Sequence, residues 1–176
     1  MDIIIREARV TDLPAILLLY SQLGQDDGMA LDLAEAERIF ATMKTYPDYR
    51  LYVAAMADKP VGTFALLIMD NLGHLGAKSA ILEDLVVTDL LRGRGIGRMM
   101  MAYAGELCRA KKCYKMALSS NRNRKAAHRF YESLGMAWHG YSYLTLFSDC
   151  EKAQGLDVCH IPLDLSPSLP IEGEGA

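Results

Sequence analysis

The residues best suited to chemistry are 92–98, RGRGIGR, because an apolar strand pattern at residues 81–87 (ILEDLVV) leads into them and a helix is predicted to follow. The first-turn N–H groups of a helix have no partner within it, and with the helix dipole they attract phosphate oxygens. Glycine at 95 and 97 would let those oxygens approach the backbone without meeting a Cβ. Positive charge comes from Arg92, Arg94 and Arg98. An anion site is therefore favoured over the alternative, a plain tight turn with solvated arginines.

Two common phosphate-binding motifs do not fit this segment. A dinucleotide fingerprint needs G-x-G-x-x-G, but its last position is occupied by Arg98 or Met100, depending on the glycine that begins the motif. A P-loop needs lysine and then serine or threonine after its last glycine, whereas Gly97 is followed by Arg98 and Met99. The pattern that fits is R-x-x-G-x-G.

With this motif the sequence resembles the GNAT superfamily of acetyl-CoA-dependent N-acetyltransferases, whose signature for the CoA pyrophosphate has this form. A second segment, AHRFYESLGM at residues 127–136, is similar to the family's A-x-x-F-Y-x-x-x-G-F helix, with Met136 in place of the usual phenylalanine. The resemblance covers residues 3–147. Many relatives carry an asparagine where Arg124 stands here, and Asn123 is the neighbouring candidate for that contact to the CoA arm.

The resemblance implies acetyl-CoA as co-substrate and a primary amine as acceptor. It places the N–H of Val87 against the thioester carbonyl, where a fixed backbone donor would stabilise the developing oxyanion. No nucleophile arrangement surrounds Cys108, so direct attack in a ternary complex is preferred over an acyl-enzyme. The residues expected to bind acetyl-CoA are Leu85, Val86, Val87, Arg92, Gly93, Arg94, Gly95, Ile96, Gly97, Arg98 and Asn123.

Acyl transfer to an amine also needs a base, and Glu83 and Asp84 are adjacent carboxylates on the strand that enters the site. Successive strand residues face opposite ways, so only one of the two is expected to face the cleft. In a regular strand Glu83 shares a face with Val87, and related enzymes often use a glutamate on this strand. Glu83 is therefore the predicted base, with Asp84 or a water relay as substitutes and a purely structural carboxylate as the alternative.

The family's usual acid is the tyrosine of the F-Y pair, which is Tyr131 in this sequence. A phenol with a pKa near 10 stays protonated at neutral pH and can donate its proton to a departing thiolate. Neighbouring residues on a helix point in different directions, so Tyr131 can face a cleft if Phe130 faces the core. The alternative is that both are core aromatics.

Composition limits the class of protein. The 176 residues are 51% hydrophobic and 23% charged, as in ordinary globular domains, and no apolar run reaches the length of a membrane span. The net charge of −3 argues against a nucleic-acid partner. No signal peptide is recognised, and a cytoplasmic protein is expected. The cysteines form no C-x-x-C pair, so we expect free thiols and no metal site; they are Cys108, Cys113, Cys150 and Cys159.

The elements that must position these residues follow from hydrophobic periodicity and turn signals. The first helix is expected to begin at Thr11-Asp12-Leu13-Pro14, with a capping side chain and a proline in its first turn. This order predicts an α/β (α+β) fold, a GNAT-like mixed and mostly antiparallel central sheet flanked by helices on both faces. Residues 1–165 are expected to form one domain and 166–176 a flexible tail. Strands are predicted at residues 2–9, 49–57, 61–69, 80–88, 114–119 and 136–147. Further helices are predicted at 34–44, from the glycine turn at 92–98 to about 111, and at 125–134.

The acceptor is not identified by these motifs. Loops at residues 25–29 and 71–79 are expected to influence it, and their acidic residues would suit a cationic amine or simple solvation equally well. The Glu83-Asp84 strand also resembles that of glucosamine-phosphate N-acetyltransferases. A small-molecule amine is the preferred acceptor. A protein lysine or N-terminus, and a non-catalytic acyl-CoA-binding sensory module, are the alternatives; the resemblance also suggests a homodimer.

Overall fold

The computed structural model describes residues 2–23, 29 and 31–143. The fold contains five strands and four helices within these residues, with short 3₁₀ turns between some of them. The strands are β1 (Ile3–Glu7), β2 (Tyr49–Met56), β3 (Lys59–Met69), β4 (Lys78–Val87) and β5 (Cys113–Ala117). The helices are α1 (Leu13–Tyr20), α2 (Leu33–Met43), α3 (Ile96–Ala110) and α4 (Lys125–Glu132). The 3₁₀ turns are Val10–Asp12, Ser21–Leu23, His74–Gly76 and Asp89–Leu91.

The five strands form one sheet in the order β1-β2-β3-β4-β5. Neighbouring strands are antiparallel from β1 to β4, and β5 runs parallel to β4. The hairpin between β2 and β3 turns at Ala57 and Asp58, both with positive φ, so β2 ends one residue before the end of the strand predicted at 49–57. The predicted mixed, mostly antiparallel sheet is confirmed.

Apolar side chains cover both faces of the sheet. One core joins the sheet to α3 and includes Phe64, Leu82 and Met100. The other joins it to α1 and α2, where Ile16 and Phe40 pack against Ala65. Alternation along β3 sends Phe64 to one core and Ala65 to the other, as a strand buried on both faces requires. The expectation of helices on both faces is confirmed.

The beginning of α1 differs from the prediction in its hydrogen bonds. Asp12 precedes the helix and Pro14 lies in its first turn, as expected, but the Asp12 carboxylate does not cap it. It accepts instead from the backbone N–H of Arg9 at 2.7 Å and from the guanidinium of Arg6 at 2.7 and 3.0 Å. This ion pair, with the Asp12 side chain only 5% exposed, ties β1 to the start of α1.

The last predicted strand is wrong over its described part, residues 136–143, which form no helix or strand. Trp138 is 75% exposed and its indole N–H donates to the carbonyl of Gly140 at 2.8 Å, within the same segment. Strand preference of aromatic residues reflects packing on a pleated surface, and Trp138 lacks that burial. The rest of that strand, the proposed boundary at residue 165, the tail at 166–176 and the loop residues 25–28 lie outside the described residues. No helix within the described ranges is long and apolar enough to cross a membrane.

Candidate active site

The edge of β4 that faces β5 becomes open halfway along the strand. β5 pairs with β4 only as far as Ile81, opposite Ala117, where β5 ends. The second half of β4 is paired with β3 on one side and with no described strand on the other. Beyond its end the N–H of Thr88 donates to the carbonyl of Val61 in β3 at 2.9 Å. Because N–H directions alternate along a strand, the N–H of Val87 is directed toward the open edge, as its predicted oxyanion role requires.

A bulge interrupts β4 at its two carboxylates. Glu83 pairs with Ala65 and Val86 with Thr63, so two residues of β4, Asp84 and Leu85, lie opposite Phe64 alone. Asp84 has a φ of +53°, in the left-handed region that asparagine and aspartate tolerate better than most residues. The extra residue shifts the alternation of side chains along the strand.

The bulge overturns the prediction that Glu83 shares a face with Val87. Leu82, before the bulge, and Leu85 and Val87, after it, all pack against the core beneath α3. Glu83 follows Leu82 directly and so lies on the opposite face of the sheet from Leu82 and Val87. The sequence offered one signal of this irregularity, two adjacent acidic residues inside an otherwise apolar strand.

Burial and the negative charges of Glu83 and Asp84 raise the pKa values of two tyrosines on other elements, Tyr20 and Tyr49. Burial raises the pKa of Tyr20 on α1, and the Asp84 charge raises it further. Burial also raises the pKa of Tyr49 on β2, and both Asp84 and Glu83 add to that rise. The charges of both carboxylates therefore act on Tyr49. Neither Tyr20 nor Tyr49 carried a motif that would have identified it.

The Glu83 carboxylate, the predicted base, contributes to the raised pKa of Tyr131, the predicted acid. Burial raises the pKa of Glu83, and the neighbouring Asp84 carboxylate raises it further. Burial also raises the pKa of Tyr131; Arg124 opposes this rise and the Glu83 carboxylate adds to it. At neutral pH the phenol is therefore held in the protonated form that a general acid needs.

The aromatic pair on α4 is arranged differently from the expectation of one residue facing in and one facing out. Phe130 and Tyr131 are both half-buried and both pack against the core beneath α3, with ring centroids 5.3 Å apart. Tyr131 is therefore at once a packing residue and a candidate acid, because its hydroxyl end need not follow its ring into the core.

The turn between β4 and α3 has the backbone freedom that an anion site needs. Gly93 and Gly95 have φ values of +75° and +81°, and a Cβ at either would meet nothing within 4 Å. Gly95 is the N-cap of α3, and its carbonyl accepts from the N–H of Met99 at 3.1 Å. Two of the predicted binding residues are buried: Val86 is 4% exposed, and Ile96, at 2% exposed, anchors the helix start in the core.

Gly97 has a packing function in the fold that the sequence did not predict. A Cβ there would lie 3.1 Å from Cζ of Phe130, so the missing side chain makes room for the α4 ring. Gly97 therefore meets a packing requirement between α3 and α4, while Gly93 and Gly95 leave open space in the turn. The approach of phosphate oxygens at Gly97 stays a prediction.

The three predicted arginines surround the turn but differ in their partners. Arg92 forms an ion pair with Asp89 at 2.5 Å, Arg98 reaches the carbonyl of Ser133 at 3.4 Å, and Arg94 is exposed. Asn123 is exposed in the turn before α4, where its N–H donates to Oδ1 of Asn121 at 2.9 Å. The CoA contacts of these residues stay predictions.

Two polar side chains near the site had no sequence signal. The Oγ of Ser120, shortly after β5 ends, is buried without a hydrogen-bond partner among the described residues. The side chain of Gln22 accepts a hydrogen bond from the N–H of Asp89, 67 residues away in sequence. Both depend on tertiary proximity that no local pattern encodes.

Known proteins are similar to this chain in sequence and in fold. The aminoalkylphosphonate N-acetyltransferase of Salmonella typhimurium is 29% identical over 72% of this chain and 80% of its own length. The glucosamine 6-phosphate N-acetyltransferase of Trypanosoma brucei brucei is 34% identical over 45% of this chain. The chain spans about half the length of the first curated relatives it matches, 43% and 52% of two of them.

The solved structure of a chain from Agrobacterium tumefaciens str. C58 is 35% identical and has a TM-score of 0.77, covering 82% of this chain and 99% of that one. The acetyltransferase (GNAT) family model matches residues 18–136, which include β4, the glycine turn and the aromatic pair on α4. Because this match covers more than two thirds of its length, the chain belongs to the GNAT acetyltransferase family.

Proposed function

We propose that the protein transfers an acetyl group from acetyl-CoA to a primary amine of a small molecule, by direct attack in a ternary complex. The observation that carries this proposal is the half-open strand β4, whose unpaired edge ends at the glycine turn and the start of α3. Such an edge offers backbone hydrogen bonds to an amide-bearing ligand, and the turn offers first-turn N–H groups to phosphates.

The binding part of the proposal uses the residues of that edge and turn. The pantetheine arm of acetyl-CoA carries amides and would lie along Leu85, Val86 and Val87. Its pyrophosphate would lie at the turn, where Gly93 and Gly95 leave space and Arg94 is exposed. Arg92 and Arg98 would add charge at the rim, and Asn123 would contact the CoA arm.

The chemical part of the proposal assigns a base to the attacking amine and an acid to the leaving thiolate. Glu83 takes a proton from the substrate ammonium, directly or through water, with Asp84 as the substitute. The free amine attacks the thioester carbon, and the oxyanion that forms faces the N–H of Val87. The C–N bond forms and the C–S bond breaks. The leaving thiolate takes the proton of Tyr131, and the new amide nitrogen gives its second proton to water. Solvent then restores both groups.

The names of two relatives indicate which acceptors to test first. Glucosamine 6-phosphate and the aminoalkylphosphonates are both small amines that also carry a phosphate or phosphonate group. We propose an acceptor of this class for this chain, because these relatives are similar to it in sequence. An acetylated peptide lysine or N-terminus would be the contrary result.

Thermal unfolding with acetyl-CoA, with NAD as the control ligand, tests the cofactor. Ligand at 100 times its Kd adds about 2.7 kcal/mol to the free energy of unfolding, so the transition should move clearly upward. The shift should be absent in Gly95→Glu, where the new side chain fills the open turn. Release of CoA thiol is then followed with glucosamine 6-phosphate, an aminoalkylphosphonate and a lysine peptide. Binding without turnover on any amine would indicate a sensory module instead.

A homodimer and a cytoplasmic location are further parts of the proposal. Light scattering would measure twice the mass of one chain if the protein is a dimer, and the mass of one chain would contradict it. Fractionation of cells that express the protein tests the location.

A further inference from the structure

Gln22 bridges two segments that are far apart in the sequence. It lies in the 3₁₀ turn Ser21–Leu23, directly after α1. Its amide nitrogen donates to the carbonyl of Leu18 at 3.3 Å, and its amide oxygen accepts from the N–H of Asp89 at 3.0 Å. A carbonyl can only accept and a backbone N–H can only donate, so the orientation of the amide follows from its two partners.

The bond to Asp89 supplies a cap that the local sequence does not. Asp89 begins the 3₁₀ turn Asp89–Leu91, and the preceding residue, Thr88, makes no side-chain capping bond to it. The first N–H groups of such a turn need a partner from outside. Gln22 satisfies one of them from across the fold.

The capped turn leads directly into the proposed pyrophosphate site. The Asp89 carboxylate holds Arg92 at 2.5 Å, and Arg92 begins the glycine turn. Gly93 and Gly95 are both in the left-handed region, so the backbone between them is free to adopt many conformations unless its ends are held. Buried Ile96 holds the far end, and the Asp89 turn holds the near end.

We propose that Gln22 is a positioning residue for acetyl-CoA binding, acting through the N–H of Asp89 to hold the glycine turn in its binding conformation. This inference rests on the proposed function. Gln22 does not touch the co-substrate in this account. Its loss should weaken binding of acetyl-CoA and leave kcat at saturation nearly unchanged, because the reacting groups lie elsewhere.

The test compares Gln22→Leu, which removes both hydrogen bonds at similar size, with Gln22→Glu, which keeps an acceptor for the Asp89 N–H. Ser21→Ala is the matched control, because the Ser21 hydroxyl donates at 2.9 Å to the same Leu18 carbonyl and does not reach Asp89. Calorimetry gives the Kd for acetyl-CoA, and amide hydrogen exchange reports on Asp89 without any ligand. We expect Gln22→Leu to raise the Kd about 3- to 10-fold, the range that one net hydrogen bond supplies, and to speed exchange at Asp89. Gln22→Glu should fall nearer the wild type, and Ser21→Ala should change neither value.

Different results overturn different statements. Wild-type affinity in Gln22→Leu, or an equal loss in Ser21→Ala, would overturn the positioning role alone, since the wild-type protein would still bind acetyl-CoA. Unchanged exchange at Asp89 in Gln22→Leu would overturn it too. Failure of the wild-type protein to bind acetyl-CoA would overturn both the proposed function and this inference.

Discussion

Gly97 of α3 lies directly against the ring of Phe130 in α4: a Cβ at residue 97 would be 3.1 Å from Cζ. We expect Gly97→Ala to push this ring aside and to lower the free energy of unfolding by about 1 to 3 kcal/mol, the usual cost of an overpacked core. Tyr131 is the next residue on α4, so kcat should fall as well. Denaturant unfolding and steady-state kinetics measure the two effects.

The same helix provides the control for that prediction. A Cβ at Gly105 would meet only the Arg109 guanidinium, at 3.8 Å, which is an ordinary contact. Gly105→Ala should therefore be neutral or stabilise by up to about 1 kcal/mol through helix propensity. Phe130→Leu should recover part of the loss in Gly97→Ala. Equal effects of alanine at 97 and 105 would contradict the packing explanation.

Substitutions of Gly95 should change the free energy of unfolding through the backbone conformation at this position and not through crowding. With a φ of +81° and open space around it, Gly95→Ala should cost about 1 kcal/mol, and Gly95→Asn less, since asparagine tolerates the left-handed region better. Unfolding free energies of the two variants give the order. A larger loss with asparagine than with alanine would show that side-chain volume matters there after all.

The adjacent carboxylates of Glu83 and Asp84 should determine how activity falls in acid. A general base works only when deprotonated, so activity should fall as the pH drops through the raised pKa of Glu83. Asp84→Asn removes the negative charge that helps to raise this pKa, so the acid limb of the kcat/KM profile should move to lower pH. If the acid limb of the profile does not move in Asp84→Asn, Glu83 is not the group whose protonation causes the loss of activity.

Tyr131→Phe should lower kcat by at least about 100-fold while acetyl-CoA still binds with nearly wild-type Kd, because the hydroxyl is used only when the thiolate leaves. Burial raises the pKa of Tyr131, so wild-type activity should persist well into alkaline pH before the phenol loses its proton. Turnover of the variant equal to wild type between about pH 6 and 9 would rule out the acid role.

Asp12 should contribute to stability at neutral pH and lose that contribution in acid. The hydrogen bond from Arg6 holds the pKa of Asp12 below its usual value in the folded state. The stabilisation is therefore present above the unfolded-state pKa and disappears as the pH falls through the lower folded-state pKa. Asp12→Asn should cost about 1 to 3 kcal/mol at pH 7, with a difference from wild type that shrinks below about pH 4. Urea unfolding at both pH values measures it, and a constant difference would contradict the ion-pair explanation.

Local patterns were enough for much of this site. Periodicity placed α3 and the glycine turn, and the R-x-x-G-x-G and F-Y motifs identified the family that the family model also matches. These features are encoded by neighbouring residues, since helix periodicity and glycine conformation need no distant partner. The mixed sheet followed from the order of elements for the same reason.

Cross-strand pairing decided what periodicity could not. The face on which Glu83 lies depends on how many residues of β4 oppose Phe64, and a one-residue bulge reverses the side-chain alternation beyond it. Residues 136–143 have strand-like composition but no strand in the structure, because a strand also needs a partner.

The sequence by itself determined the family, most of the elements and the glycine turn, since these rest on short-range preferences and recognisable motifs. Only the tertiary structure decided that Gly97 serves the packing of Phe130 and that Gln22 caps the turn at Asp89. It also set the packing by which Ile16 of α1 and Phe40 of α2 share one core. The physical reason is common to all three: each contact joins residues from separate elements, and their distance is set by how those elements pack on the sheet.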